Sequence, residues 1–136
     1  METVYFKIFI MLFVSILFWH CEKNITTQCE VQPTIKPTLS SIQTEVFNGY
    51  CVSCHSGAAA SGNLDLSPAS AYSNLVNVPS SASSLMRVLP GNSDQSYLIK
   101  RLIGADGELI MPPAGRLPQN FIEAVQQWID EGAKNN

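Results

Sequence analysis

Two cysteines and a histidine stand within five residues, Cys51-Val52-Ser53-Cys54-His55, and no other feature so limits the folds open to the chain. Helical geometry accounts for the spacing. Positions i, i+3 and i+4 share one helix face, so Cys51, Cys54 and His55 address a single planar partner if the segment ends a helix. In a strand they would divide between two faces. The upstream residues support a helix: Ser40 or Ser41 can cap it, and Ile42, Val46, Phe47 and Tyr50 follow at helical intervals.

CxxCH in this setting is the attachment signature of c-type haem, in which two thiols add across porphyrin vinyl groups and the next residue supplies an imidazole to iron. Other readings of the same residues are a redox dithiol, half of a zinc site, or a structural disulfide. A dithiol of the thioredoxin kind needs a βαβ context, and no alternating strand pattern is present. Zinc wants a further Cys or His pair at set spacing, and neither type occurs after His55. A disulfide framework is thin, because beyond the motif there are only Cys21 and Cys29, and Cys29 has no evident partner.

A second ligand to iron has few candidates. His20 and Met11 belong to the N-terminal apolar segment, and Met86 lies beside a modest apolar run where packing explains it. Met111 differs, because Pro112 and Pro113 forbid regular helix or central strand and leave it on a stiff loop. Its alternative is a loop methionine packed on the core. Ligation by His55 and Met111 leaves no open position on iron, which suits an electron carrier and not an enzyme. Two other readings stand beside it: a five-coordinate haem enzyme or gas sensor, although no spare histidine or acid marks a distal pocket, and an interaction module that uses haem as a staple.

The rest of the chain reads as one domain with an export segment. Residues 8–19 form an apolar run after Lys7, interrupted only by Ser15, which suits a signal peptide and is short for a spanning helix of roughly 20 residues. Cys21 directly after it resembles the lipobox of bacterial lipoproteins, with Phe18, Trp19 and His20 departing from the usual aliphatic and small residues. Residues 1–20 are thus a signal peptide or N-terminal membrane anchor, with lipidation of Cys21, an uncleaved anchor and ordinary secretion as the outcomes. All three place the remainder outside the cytoplasm, in the cell envelope. Residues 21–38 are polar, contain Pro33 and Pro37, and read as a tether; the globular domain is expected over 39–136.

Within that domain the patterns are helical. A short helix is expected over 69–76. Another spans 94–103, capped by Asn92 or Ser93, with Leu98 and Leu102 on one face and Gly104 as its stop. The last begins near Pro118, carries Phe121, Ile122, Val125, Trp128 and Ile129 at helical intervals, and stops at Gly132. A net charge of −3, with eight Lys and Arg scattered along the chain, offers no basic stripe and argues against nucleic acid as a partner.

Taken together, Cys51 to His55, Gly62-Asn63-Leu64-Asp65-Leu66, Leu89-Pro90-Gly91, Ser96-Tyr97-Leu98 with Arg101, Met111-Pro112-Pro113, Trp128-Ile129 and Gly132-Ala133 resemble a class I cytochrome c domain. In detail they are similar to the planctomycete-type cytochrome c domain of bacterial envelope proteins. The resemblance implies an all-α class I cytochrome c-like fold, with helices and long loops wrapped around one haem c held by two thioethers. It also implies axial ligation by His55 and Met111, redox proteins as partners, and a membrane contact through the N-terminal segment or a lipid on Cys21. The first and last helices are expected to cross, with Phe47 and Tyr50 meeting Val125, Trp128 or Ile129. Class I domains often orient the ligand histidine with a proline carbonyl after the motif; residues 57–62 contain no proline, so another carbonyl has to orient His55. Candidate donors to the haem propionates are Arg87, Arg101, Arg116, Tyr97 and Trp128.

Overall fold

A computed structural model describes residues 34–136. The apolar segment, Cys21, Cys29 and most of the tether lie outside the described residues. Among those described there are four α-helices, one π-helix and no strand, only isolated bridges that join Val76 to Val88, Pro79 to Met86 and Met86 to Ser96. The expected all-α class holds. No helix among the described residues is long and apolar enough to cross a membrane.

Helix α1 (Leu39–Ile42) is capped by Thr38, whose Oγ1 accepts from the Ser41 N–H at 3.3 Å. Ser40 and Ser41 are therefore inside the first turn and not at the cap, because Thr38 is the residue with extended backbone. The N–H groups of Leu39 and Ser40 are satisfied by Asn136, through its side-chain and main-chain oxygens at 3.0 and 2.8 Å. At Gln43 the helix widens into a π-helix (Gln43–Cys51), closed by a bond from the Val52 N–H to the Phe47 carbonyl, five residues back.

The wider turn rotates the faces away from those drawn with an α-helical period. Ile42, Val46 and Phe47 are fully buried, whereas Tyr50 is 43% exposed. Its ring meets the edge of Phe121, with centroids 6.0 Å apart at 74°, while Phe47 is buried in one core with Val125, Trp128 and Ile129. Gln43 turns inward, where its Nε2 donates to the Leu66 carbonyl and to Asn48 Oδ1, both at 2.9 Å, so that a buried amide is satisfied.

Helix α2 is the short Ala71–Leu75 and α3 is Tyr97–Ile103. The latter starts later than residue 94 because its first N–H groups go elsewhere: Tyr97 donates to the Met86 carbonyl and Leu98 to that of Arg87, at 2.9 and 3.0 Å. Asn92 accepts from the Gln95 N–H in a separate turn. The buried face is Tyr97, Ile99 and Leu102, with Leu98 half-buried at its border. Gly104 stops α3 in a left-handed conformation, φ 68°.

Helix α4 (Gln119–Asp130) follows Pro118 as its pattern predicts, and all five expected apolar residues are buried. Trp128 is the largest fully buried side chain among the described residues and forms one core with α1, the π-helix and α3.

Candidate haem site

The π-helix delivers the CxxCH segment and then tightens. The Cys51 carbonyl accepts from both the Cys54 N–H at 3.1 Å and the His55 N–H at 2.9 Å, so the pentapeptide forms one turn at the helix end. Cys51, Cys54 and His55 are carried on that turn at the offsets 0, 3 and 4 the sequence specifies. Both thiols are free; Cys54 is exposed, while Cys51 is half-buried and packs on the core. Burial pushes the Cys51 thiol up to about 11, because the thiolate loses its hydration.

The carbonyl that orients His55 belongs to Ser61. It lies 2.9 Å from His55 Nδ1, and since a carbonyl can only accept, Nδ1 carries the proton and Nε2 keeps its lone pair. Nε2 makes no hydrogen bond among the described residues. Ser61 is itself fixed, its N–H donating to the Cys54 carbonyl at 3.0 Å, and the His55 carbonyl accepts from the Leu66 N–H at 2.8 Å. To close so small a loop the chain turns left-handed at Gly57 (φ 70°) and again at Gly62 (φ 65°) and Asn63 (φ 51°). Glycine and asparagine are the residues that tolerate this, which gives the Gly-Asn pair its physical meaning. Asp65 then accepts from the Ser67 N–H at 2.9 Å, a bond that holds its carboxyl below the usual range.

Met111 sits half-buried on a loop after α3, its N–H donating to the Arg101 carbonyl at 2.8 Å. The Arg101 guanidinium returns to the same loop, with Nε on the Leu109 carbonyl at 2.9 Å and Nη1 on the Tyr97 hydroxyl at 3.3 Å. Tyr97 in turn donates to Glu108 at 2.9 Å. Met86, the other described methionine, is exposed on the bridge segment.

Four of the five candidate propionate donors are engaged within the protein. Trp128 Nε1 donates to the Lys134 carbonyl at 2.8 Å, Tyr97 to Glu108, Arg101 to Leu109 and Tyr97, and Arg87 to three carbonyls. Arg116 is exposed and makes no hydrogen bond among the described residues, so its guanidinium alone of the five is uncommitted there.

Two free thiols on one helical turn, followed by an imidazole with Nδ1 held and Nε2 available, are a donor set that fits covalent haem. Among the described residues no three His, Cys, Asp or Glu side chains converge as they would on a bare metal ion. Residues 51–115 match the family model described as Planctomycete cytochrome C. They are a planctomycete cytochrome C domain. The cytochrome c family implies a haem-based electron carrier with covalent haem c, and c-type cytochromes are generally extracytoplasmic. The match opens on Cys51 and takes in His55, the Gly62 to Leu66 segment, Arg101 and Met111. No curated protein and no solved structure matches the chain.

Proposed function

We propose that this planctomycete cytochrome C domain is a monohaem electron carrier whose iron is ligated by His55 and Met111. The observation that carries the reading is the Ser61 carbonyl on His55 Nδ1, which orients the ring and leaves Nε2 as the ligating atom. Bound haem supplies a one-electron Fe(III)/Fe(II) couple, and a thioether opposite an imidazole favours a relatively high potential. The residues do the positioning. Cys51 and Cys54 anchor the ring to the helix end, His55 is aimed by Ser61, and the Arg101 clamp presents the Met111 loop.

The domain is displayed on the extracytoplasmic side, held to the membrane by residues 1–20 or by a lipid on Cys21. Its partners are redox proteins, and a net charge of −3 gives weak electrostatic steering toward them. A reduced-minus-oxidised spectrum of the chain, expressed with haem-maturation machinery, tests attachment and redox activity together. Protein that emerges without covalent haem ends this reading. Replacing Met111 with Ala should abolish the far-red iron-to-sulfur band; its persistence removes Met111 as the ligand. Rapid carbon monoxide binding by the untreated protein points instead to an open iron.

A further inference from the structure

The His55 ring is aimed by the Ser61 carbonyl, which also accepts from the Leu64 N–H at 3.3 Å, so its direction depends on how the Gly62–Asn63 turn between those two residues is held. Residues 62 and 63 of that turn are gathered by one side chain. The Arg87 guanidinium donates through Nη2 to the carbonyls of Gly62 and Asn63, both at 3.1 Å, and through Nη1 to the carbonyl of Asn74 in α2 at 2.9 Å. Arg87 is also fixed at its own backbone. Its N–H donates to the Val78 carbonyl at 2.7 Å and its carbonyl accepts from the Leu98 N–H at 3.0 Å, in the first turn of α3. A planar fork held at its base thus spans from α2 to the loop immediately after Ser61.

We propose that Arg87 is a positioning residue for His55, latching the loop at residues 62 and 63 so that the Ser61 carbonyl stays on Nδ1. The assignment rests on the electron-carrier reading, since it concerns the imidazole that ligates iron there. Its consequence has a sign. A stronger bond at Nδ1 makes the imidazole a more basic ligand and favours the ferric state, so loosening the latch raises the reduction potential. Loss of a positive charge acts in the opposite direction, because it also favours the ferric state. The two roles of Arg87 are therefore separable.

The test uses the haem-loaded full chain, with Arg87→Lys and Arg87→Ala beside the wild type. Lysine keeps the charge but cannot reach three carbonyls with a planar fork. Solvent exchange of the His55 Nδ1–H, followed by NMR in the reduced protein, should quicken by about tenfold in both variants, the equivalent of one weakened hydrogen bond. The potential of Arg87→Lys should rise. An Arg87→Lys protein with lowered thermal stability but unchanged exchange and potential overturns the assignment, and so does a fall in potential confined to Arg87→Ala. If Arg87→Ala does not mature, Arg87→Lys decides alone. A wild-type chain that takes up no covalent haem removes the electron-carrier reading and this inference with it, an outcome distinct from haem-loaded variants that do not differ.

Discussion

The segment from Cys51 to Leu66 and the segment from Tyr97 to Pro113 each present one side chain to the proposed iron, and they hold it by different means. Around His55 the bonds run along the main chain: Ser61 N–H to Cys54, Leu66 N–H to His55, and the Ser61 carbonyl to the ring itself. Around Met111 one main-chain bond joins the loop to Arg101, and the other ties to α3 are side-chain ones, from Arg101 to Leu109, Tyr97 and Glu108 and from Tyr97 to Glu108. Geometry set by the path of the chain survives most side-chain changes, whereas geometry set by one guanidinium does not. The His55 side should therefore be robust to side-chain changes other than at its one guanidinium latch, Arg87, and the Met111 side fragile.

The largest effect breaks the robust side at its covalent anchor. Replacing Cys51 and Cys54 together with Ala should abolish covalent haem, read as loss of haem staining on a denaturing gel. Retention of the stain would show that attachment does not use this motif. Next comes the clamp. Arg101→Ala removes the bonds to Leu109 and Tyr97 and should cost about 2 kcal/mol in denaturant unfolding. It should also weaken the far-red band while leaving haem attachment intact. Equal loss of attachment and band would mean that the two sides are not independent.

Much of this contrast was legible in the sequence, and the parts that were not have physical reasons. CxxCH, the proline pair after Met111 and the α4 pattern carry their geometry locally, since offsets of three and four residues and the missing proline N–H act within a turn or two. The π-helix was not legible. Its wider turn is chosen by what Val46, Phe47 and Gln43 bury, and an α-helical period puts Tyr50 on the wrong face. The start of α3 was missed for a related reason: the carbonyls that receive its first N–H groups come from Met86 and Arg87, which no local signal reveals. The orienting carbonyl could have been sought at Ser61, because Gly62-Asn63 signals a left-handed turn that brings the chain back on itself.

That turn supplies a smaller test of the same contrast. A Cβ at Gly62 meets nothing within 4 Å, so Gly62→Ala suffers only the left-handed backbone, at a cost of about 1 kcal/mol. If the His55 side is set by the path of the chain, solvent exchange of the His55 Nδ1–H in the haem-loaded protein should be unchanged while the unfolding midpoint falls. Faster exchange with an intact midpoint would place His55 among the fragile elements.

The smallest expected effect lies where the loop ends, at Asp65. Its carboxylate accepts from the Ser67 N–H, and that bond favours the charged form and lowers its pKa in the folded chain. A carboxyl whose folded pKa is depressed stabilises the protein above its unfolded pKa of about 3.9, and the contribution disappears as the pH falls through the folded value. Asp65→Asn keeps an acceptor for the Ser67 N–H but has no charge to titrate. Wild type should therefore be the more stable of the two at neutral pH, and the difference should shrink as the solution is acidified below about 4. Thermal unfolding at pH 7 and pH 3 reads the difference directly. A gap that stays constant between the two would mean that Asp65 acts by shape alone, and that the end of this loop is held, like the rest of the His55 side, by the course of the main chain.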